Sequence, residues 1–321
     1  MCEYVLAMKA FLYYIALVFL FILNKMPFCI AYLVSDIIYV VLYYFAHYRR
    51  KVVRENLVNS FPEKNIKEIK AIEKKFYRSL ADFFVETIKL AGMSEKDARR
   101  HIEFVGMEKM QSAAERGQSC VVYMGHLFNW EYMNSVSLYF NLDKVFAGEI
   151  YHPLRNKRFD VLMQRVRGQY GAEPIPMKNT LRRIMQAKKE GKNFVVGFVA
   201  DQLPKWEAIK HWVDFLNQDT PVFVGTEKIA QRFGAAAFYA WTERVKRGHY
   251  RVYAETLAED ASLLPETELT ELYYKRLEAN IRKFPELWLW THKRWKRNRE
   301  AFEKRERKRL ETLKRRAAEN S

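Results

Sequence analysis

Twice in this chain a short, almost wholly apolar run stops abruptly at polar residues. Cys120–Met124 ends at Gly125-His126, and residues 194–200 end at Asp201-Gln202. Runs of this length, bounded by turn or polar residues, read as strands buried on both faces. Residues 144–150 are strand-like as well. Helical periodicity fills the intervals at 107–116, 130–139 and 155–168, and Asn179 offers a cap for a helix running to Gly191. From Gly106 onward the chain is therefore restricted to an α/β arrangement. In open sheets of this kind, sites form beyond the carboxyl ends of the strands. Residues 235–242 and 250–256 read as two further strands, and the Arg247-Gly248 turn between them makes an antiparallel pair, so a mixed sheet is expected. Thr220-Pro221 reads as a helix start with Gly234 as its stop, and residues 267–284 as a helix. There is no internal repeat.

The N-terminal part has another texture. Residues 4–23 are apolar and aromatic except for Lys9, long enough to cross a bilayer, and no small-residue cleavage pattern follows. An uncleaved anchor is expected. Beyond Pro27, residues 28–46 are again apolar but carry Asp36, and a charge at mid-membrane costs about 2.5–3.5 kcal/mol on insertion scales. An interfacial or re-entrant helix packed on the globular part is therefore expected there. His47-Tyr48-Arg49-Arg50-Lys51-Val52-Val53-Arg54 follows, which the positive-inside rule places in the cytoplasm. Asn65, with Glu68 three residues on, opens an amphipathic helix over 66–90.

His126 and Glu131 form a His-x4-Glu pattern at the end of the first apolar run. An imidazole can take a proton from a hydroxyl near neutral pH. A carboxylate on the other ring nitrogen would fix its tautomer and favour the imidazolium. If a helix begins just past the strand, Glu131 lies about one and a half turns further on, and the pairing is a geometric expectation. A His followed by an acid at such spacing is also common without function; its place at a strand end is what favours chemistry. Cys120 stands at the far end of that strand and no Gly-x-Ser-x-Gly occurs, so no covalent nucleophile is indicated. The three cysteines, Cys2, Cys29 and Cys120, are too far apart for a metal or disulfide pattern.

The pattern, with Gly125 before His126 and Asn129-Trp130 before Glu131, resembles the late (secondary) acyltransferases of lipid A biosynthesis. Other blocks agree in order: 48–57 with Ser60-Phe61-Pro62, Ala200-Asp201-Gln202, Phe215 through Thr220-Pro221 to Gly225, and Pro285-Glu286-Leu287-Trp288-Leu289-Trp290-Thr291-His292-Lys293-Arg294-Trp295-Lys296. The likeness covers about residues 5–297. It implies a glycerolipid-acyltransferase-like α/β fold, a mixed sheet flanked by helices behind a membrane helix. It also implies transfer of a fatty acyl chain from acyl carrier protein, or from acyl-CoA, to a hydroxyl of a lipid A precursor. The resemblance makes His126 the general base and Glu131 the residue that orients it, with no acyl-enzyme. The reaction calls for no metal or other cofactor. The place would be the cytoplasmic face of the inner membrane, with a single pass. The domains would be an anchor (1–25), a hydrophobic and basic interfacial segment (26–60), the acyltransferase domain (61–297) and a charged helical tail (298–321).

A phosphorylated acceptor favours arginine. Arg165 and Arg167 match an Arg-rich stretch of the family, and Arg155 is a lesser candidate; the alternative is ordinary helix surface charge. Asn129 joins the expected substrate contacts. Asp201 would close the site, hold one of the arginines, or only cap a strand end. The turn after Gly125 is expected to supply amide donors for the oxyanion. The segment 203–211 lacks the small residues common in the family, which bears on acceptor identity. The net charge is +17, and residues 293–319 hold 13 Lys/Arg against five Asp/Glu. Such charge suits an anionic membrane. No nucleic-acid partner is expected, since none of its motifs is visible and a hydrophobic anchor argues against it; a membrane-tethered nucleic-acid binder, the weakest reading, would show salt-dependent DNA or RNA retention. Two rivals remain: the same chemistry on a lysophospholipid, amino-acid lipid or glycolipid, which acceptor profiling separates, and a non-catalytic membrane adaptor, for which His126 and Glu131 would be dispensable.

Overall fold

A computed structural model of the chain describes residues 17–319. A seven-stranded sheet is its centre, in the order β1-β9-β8-β2-β5-β3-β4. These strands are β1 (Ile102–Val105), β2 (Cys120–Met124), β3 (Val145–Tyr151), β4 (Glu173–Pro176), β5 (Asn193–Val199), β8 (Ala236–Lys246) and β9 (His249–Ala258); β6 (His211–Phe215) and β7 (Gln218–Val222) form a separate hairpin. Strands β2, β3, β4, β5 and β8 are parallel, whereas β9 returns antiparallel to β8 and carries β1 beside it. The expected mixed α/β sheet is the one observed.

The helices are α1 (Phe28–Val40), α2 (Arg50–Ser60), α3 (Ile66–Leu90), α4 (Glu95–His101), α5 (Glu108–Glu115), α6 (Lys157–Gly168), α7 (Thr180–Lys189), α8 (Gly225–Arg232), α9 (Glu268–Lys283) and α10 (Arg299–Glu319). Asn65 and Glu68 start α3 with a reciprocal capping box, as their spacing indicates. Central strand β2 explains the two layers. Its odd residues, Val121 and Tyr123, enter one core with Phe76, Tyr77 and Leu80 of α3 and Tyr273 and Leu277 of α9. Its even residues, Cys120, Val122 and Met124, enter the other with Met110 of α5 and Tyr132 and Met133. A strand covered on both faces needs an unbroken apolar run, and Cys120–Met124 supplies one.

Residues 130–139 are helical as expected, in 3₁₀ form (Trp130–Tyr139). Two local expectations fail. Asn179 ends a short 3₁₀ turn and makes no side-chain cap to α7. Thr220-Pro221 does not open a helix: Pro221 lies in β7 opposite Trp212, and α8 begins at Gly225. A proline has no N–H to give a ladder, which a two-stranded hairpin tolerates.

Of the expected anchor, residues 1–16 lie outside the described residues; residues 17–25 are helical and break at Pro27. The interfacial segment 26–60 is part of the same body as the domain. Tyr39, Tyr43, Val53 and Leu57 share a core with Tyr123, Trp288 and Trp290. Asn56 donates to the carbonyls of Trp290 (2.8 Å) and His292 (3.0 Å).

Candidate active site

Strands β2 and β5 are neighbours in register, with Met124 opposite Val199. The pairing runs to the last residue, where the Ala200 amide donates to the Met124 carbonyl at 3.1 Å. Both chains then leave the sheet at the same edge, which brings His126 and Asp201 face to face. The approach is close enough to need glycine before the histidine. A Cβ on Gly125 would stand 2.5 Å from Leu277 Cδ1 and 3.4 Å from an Asp201 carboxylate oxygen.

Asp201 accepts three hydrogen bonds. The His126 backbone amide donates to Oδ2 at 2.8 Å, the His126 ring Nδ1 lies 2.5 Å from Oδ1, and the Trp288 indole N–H donates to Oδ2 at 2.7 Å. Burial alone would raise this carboxyl, but the charge of His126 and these donors hold it down at about 2. A carboxylate at Nδ1 fixes the proton there and leaves the Nε2 lone pair free to act as base. The Gln202 side-chain amide sits 2.9 Å from Nε2. The His126 ring stands edge-on to Trp130, with ring centres 4.9 Å apart.

A segment near the C terminus holds this turn in place. Leu127 and Trp288 form an isolated antiparallel bridge. The Phe128 amide donates to Leu287 O at 2.9 Å, and the Leu289 amide to His126 O at 3.1 Å. Leu287, Trp288 and Trp290 are almost fully buried. His292, close behind, accepts from the Leu203 amide at 3.3 Å, and burial brings its ring down to about 4, so it stays neutral.

Glu131 is elsewhere. Its carboxylate is gripped in two places by Arg167, Nε to Oε2 at 2.9 Å and Nη2 to Oε1 at 2.6 Å, and receives the Trp130 indole N–H at 3.1 Å. The expected pairing of Glu131 with His126 is thus replaced by His126 with Asp201. The 3₁₀ geometry at 130–139 and the pull of a buried guanidinium turn Glu131 into the protein. Arg167 is correspondingly committed: it also lies 3.8 Å from Glu149, and it is not offered to an acceptor phosphate. Arg165, two residues away on α6, is exposed, as is Arg155. Asn129 is fully buried. Its amide donates to Glu86 at 3.3 Å and its carbonyl oxygen accepts from the Glu131 amide at 3.2 Å, so it supports the turn from inside and does not face a substrate. The backbone amides expected as oxyanion donors are also taken, since those of His126 and Phe128 have partners above and that of Leu127 bonds to Gly125 O.

Two buried acids flank the site. Glu86 of α3 accepts from Tyr32 (2.9 Å), Tyr250 (2.6 Å) and Asn129; burial raises it to about 7 against those bonds. Glu149 of β3 is raised by burial to about 7, with Arg167 pulling down and Glu131 pushing up; its Oε2 has no partner. It borders an apolar cavity under the sheet, lined by Met107, Met110, Val122, Met124 and Met133.

Residues 3–297 match the profile of the bacterial lipid A biosynthesis acyltransferases. The chain belongs to that family. Over 250 residues it is 24% identical to the lipid A biosynthesis palmitoleoyltransferase of Escherichia coli (strain K12), covering 77% of this chain and 79% of the relative. The lipid A biosynthesis acyltransferase of Shigella flexneri gives the same figures. A bacterial lipid A biosynthesis acyltransferase moves an acyl group in lipid A synthesis, and a lipid A precursor is the acceptor implied. The members' work and the His126 turn fit one another, because acyl transfer to a hydroxyl needs a poised base.

Sequence reasoning found His126 and the strand that presents it. It left Asp201 without its partner, and it gave no role to Gln202, Trp288, Glu86 or Glu149. One signal was available: two apolar strands that both end on polar residues are natural neighbours in an open sheet.

Proposed function

We propose that this acyltransferase moves a fatty acyl chain from the thioester of acyl carrier protein to a hydroxyl of a lipid A precursor. His126 Nε2 is the general base, and Asp201, not Glu131, is the carboxylate that orients it. The observation carrying this reading is the Asp201 bond to Nδ1 beside a second bond to the same residue's amide. The acceptor hydroxyl takes the place of the Gln202 amide at Nε2. Its O–H proton passes to Nε2 as its oxygen attacks the thioester carbon. The tetrahedral intermediate collapses by breaking the C–S bond, and the proton leaves His126 for the departing sulfur. The ester and a free thiol result. Gln202, displaced, supplies a side-chain N–H beside the developing oxyanion. The reaction belongs at the cytoplasmic face of the inner membrane, next to the basic cluster 47–54.

The test is transfer from labelled acyl carrier protein to a tetra- or penta-acylated lipid A precursor, read as a mass gain of one acyl chain, with acyl-CoA and a lysophospholipid run in parallel. The reading expects product only from the carrier-protein donor and lipid A acceptor, and none from His126→Ala. Normal turnover by Asp201→Asn would remove the proposed pairing. Product on the lysophospholipid alone would keep the chemistry and change the acceptor.

A further inference from the structure

By length and composition residues 28–45 suffice to cross a membrane. The packing of this segment argues against it. Helix α1 runs on through a π-helical turn, Val41–Phe45, and its outer side is a strip of apolar residues at helical spacing. Ile30, Leu33, Ile37, Val41 and Tyr44 are 46% to 63% exposed.

The inner side of α1 is polar and locked. Ser35 donates to Asp82 at 2.6 Å, and Tyr32 to Glu86 at 2.9 Å. Arg247, in the β8–β9 turn, bonds to both Asp36 (2.7 Å) and Asp82 (2.6 Å) and lies over the Tyr32 ring. Gly248 next to it is at φ +77°, and a Cβ there would come within 2.3 Å of the Tyr32 hydroxyl, so the turn fits only as glycine. Further along, Arg78 lies over Tyr39, and Tyr43 packs on Tyr77. The contacts pair 32 with 86, 35 with 82, 39 with 78 and 43 with 77. The two helices are therefore antiparallel and in contact along the whole of α1. If α1 crossed a bilayer, this part of α3 would cross with it. The exposed Arg78, opposite Tyr39, would then lie at hydrocarbon depth, and it makes no ion pair among the described residues.

We propose that α1 and its continuation to Phe45 lie flat in the headgroup–acyl boundary of an anionic bilayer, with both ends on one side of the membrane. The apolar strip faces the acyl chains and α3 lies above it, in the headgroups and water. Exposed Lys25 before the helix and Arg49 and Lys51 after it stand at the two ends of the strip, where anionic headgroups would meet them. The chain's charge of +17 has the matching sign, and the strip continues in sequence from the apolar residues 4–23. The inference does not depend on the acyl-transfer chemistry.

The experiment places an environment-sensitive label at three exposed points along the helix, two on the strip and one at its flank, in the full chain bound to phosphatidylglycerol/phosphatidylethanolamine vesicles. Cys29 is exposed and serves as it is in a Cys2→Ser background. Ile37→Cys and Tyr44→Cys are made with Cys29 also changed to Ser; Cys120 is buried and does not compete. Depth is read by quenching from lipids spin-labelled at different carbons. From Cys29 to Tyr44 the helix advances about 22 Å, yet all three labels should report one shallow depth. Binding should weaken several-fold at high salt and on phosphatidylcholine vesicles. An Ile37 label at the bilayer centre with the other two near opposite surfaces would overturn the proposal, and so would three labels in water. No activity is measured, so either result leaves the catalytic reading to its own test.

Discussion

Asp201 accepts hydrogen bonds from both the backbone amide and the ring of His126. One carboxylate thus fixes where the ring is and which nitrogen is free. Asp201→Asn should keep the fold and lower kcat by about 10³–10⁴-fold, the scale seen when the orienting acid of a catalytic triad is neutralised. KM should change little. Single-turnover rates with a melting curve on the same sample check it.

Glu131→Gln should behave differently. It leaves Arg167 facing Glu149 and removes a buried ion pair, for which a loss of about 3–5 kcal/mol is typical. The variant should melt well below wild type, and what remains folded should turn over far faster than Asp201→Asn. Activity per folded molecule, with the folded fraction read by circular dichroism, separates the two. Equal intrinsic defects would restore Glu131 to the reaction.

Trp288→Phe keeps the ring in the core and removes one donor from Asp201. The Asp201 carboxyl, held at about 2, should move up. Because it is depressed in the folded state, it contributes stability above about 4 that is lost as pH falls toward 2. The variant should therefore unfold at a higher pH on acid titration and turn over about tenfold more slowly. Circular dichroism between pH 5 and 2 reads the first effect.

Glu149→Gln addresses the opposite sign. Its carboxyl is raised to about 7, so the folded state holds the proton more tightly than the unfolded chain. Stability then falls as pH climbs from the ordinary carboxylate range through 7. The glutamine variant escapes this and should match wild type at pH 5 but exceed it at pH 8, by on the order of 3 kcal/mol. Denaturant unfolding at both pH values is the check, and a variant less stable at pH 8 would show that the charge is satisfied.

The elements were largely legible from sequence because their signals are local. The Asn65–Glu68 box, the apolar run ending at Gly125 and the Arg247-Gly248 turn each lie within a few residues. The His126–Asp201 pair was not legible, since its two members are joined only by the side-by-side register of β2 and β5. The choice between Arg165 and Arg167 was nearer to hand: residues two apart on a helix face different ways, so one points into the protein and the other to solvent. Trp288 was hidden in plain apolar chemistry. Its ring packs, as its neighbours' rings do, and only its N–H does something separate.

Glu86 joins parts of the molecule that are far apart in sequence. Tyr32 reaches it from α1, Tyr250 from β9 and Asn129 from beneath the turn that carries His126. Cutting the chain after Phe45 to make it easier to handle would therefore do more than shed a greasy end. It would take a hydroxyl from a buried acid that also steadies the turn carrying His126. Solubility gained that way should come with a loosened His126 turn, and rates measured on such a shortened enzyme would describe a different machine.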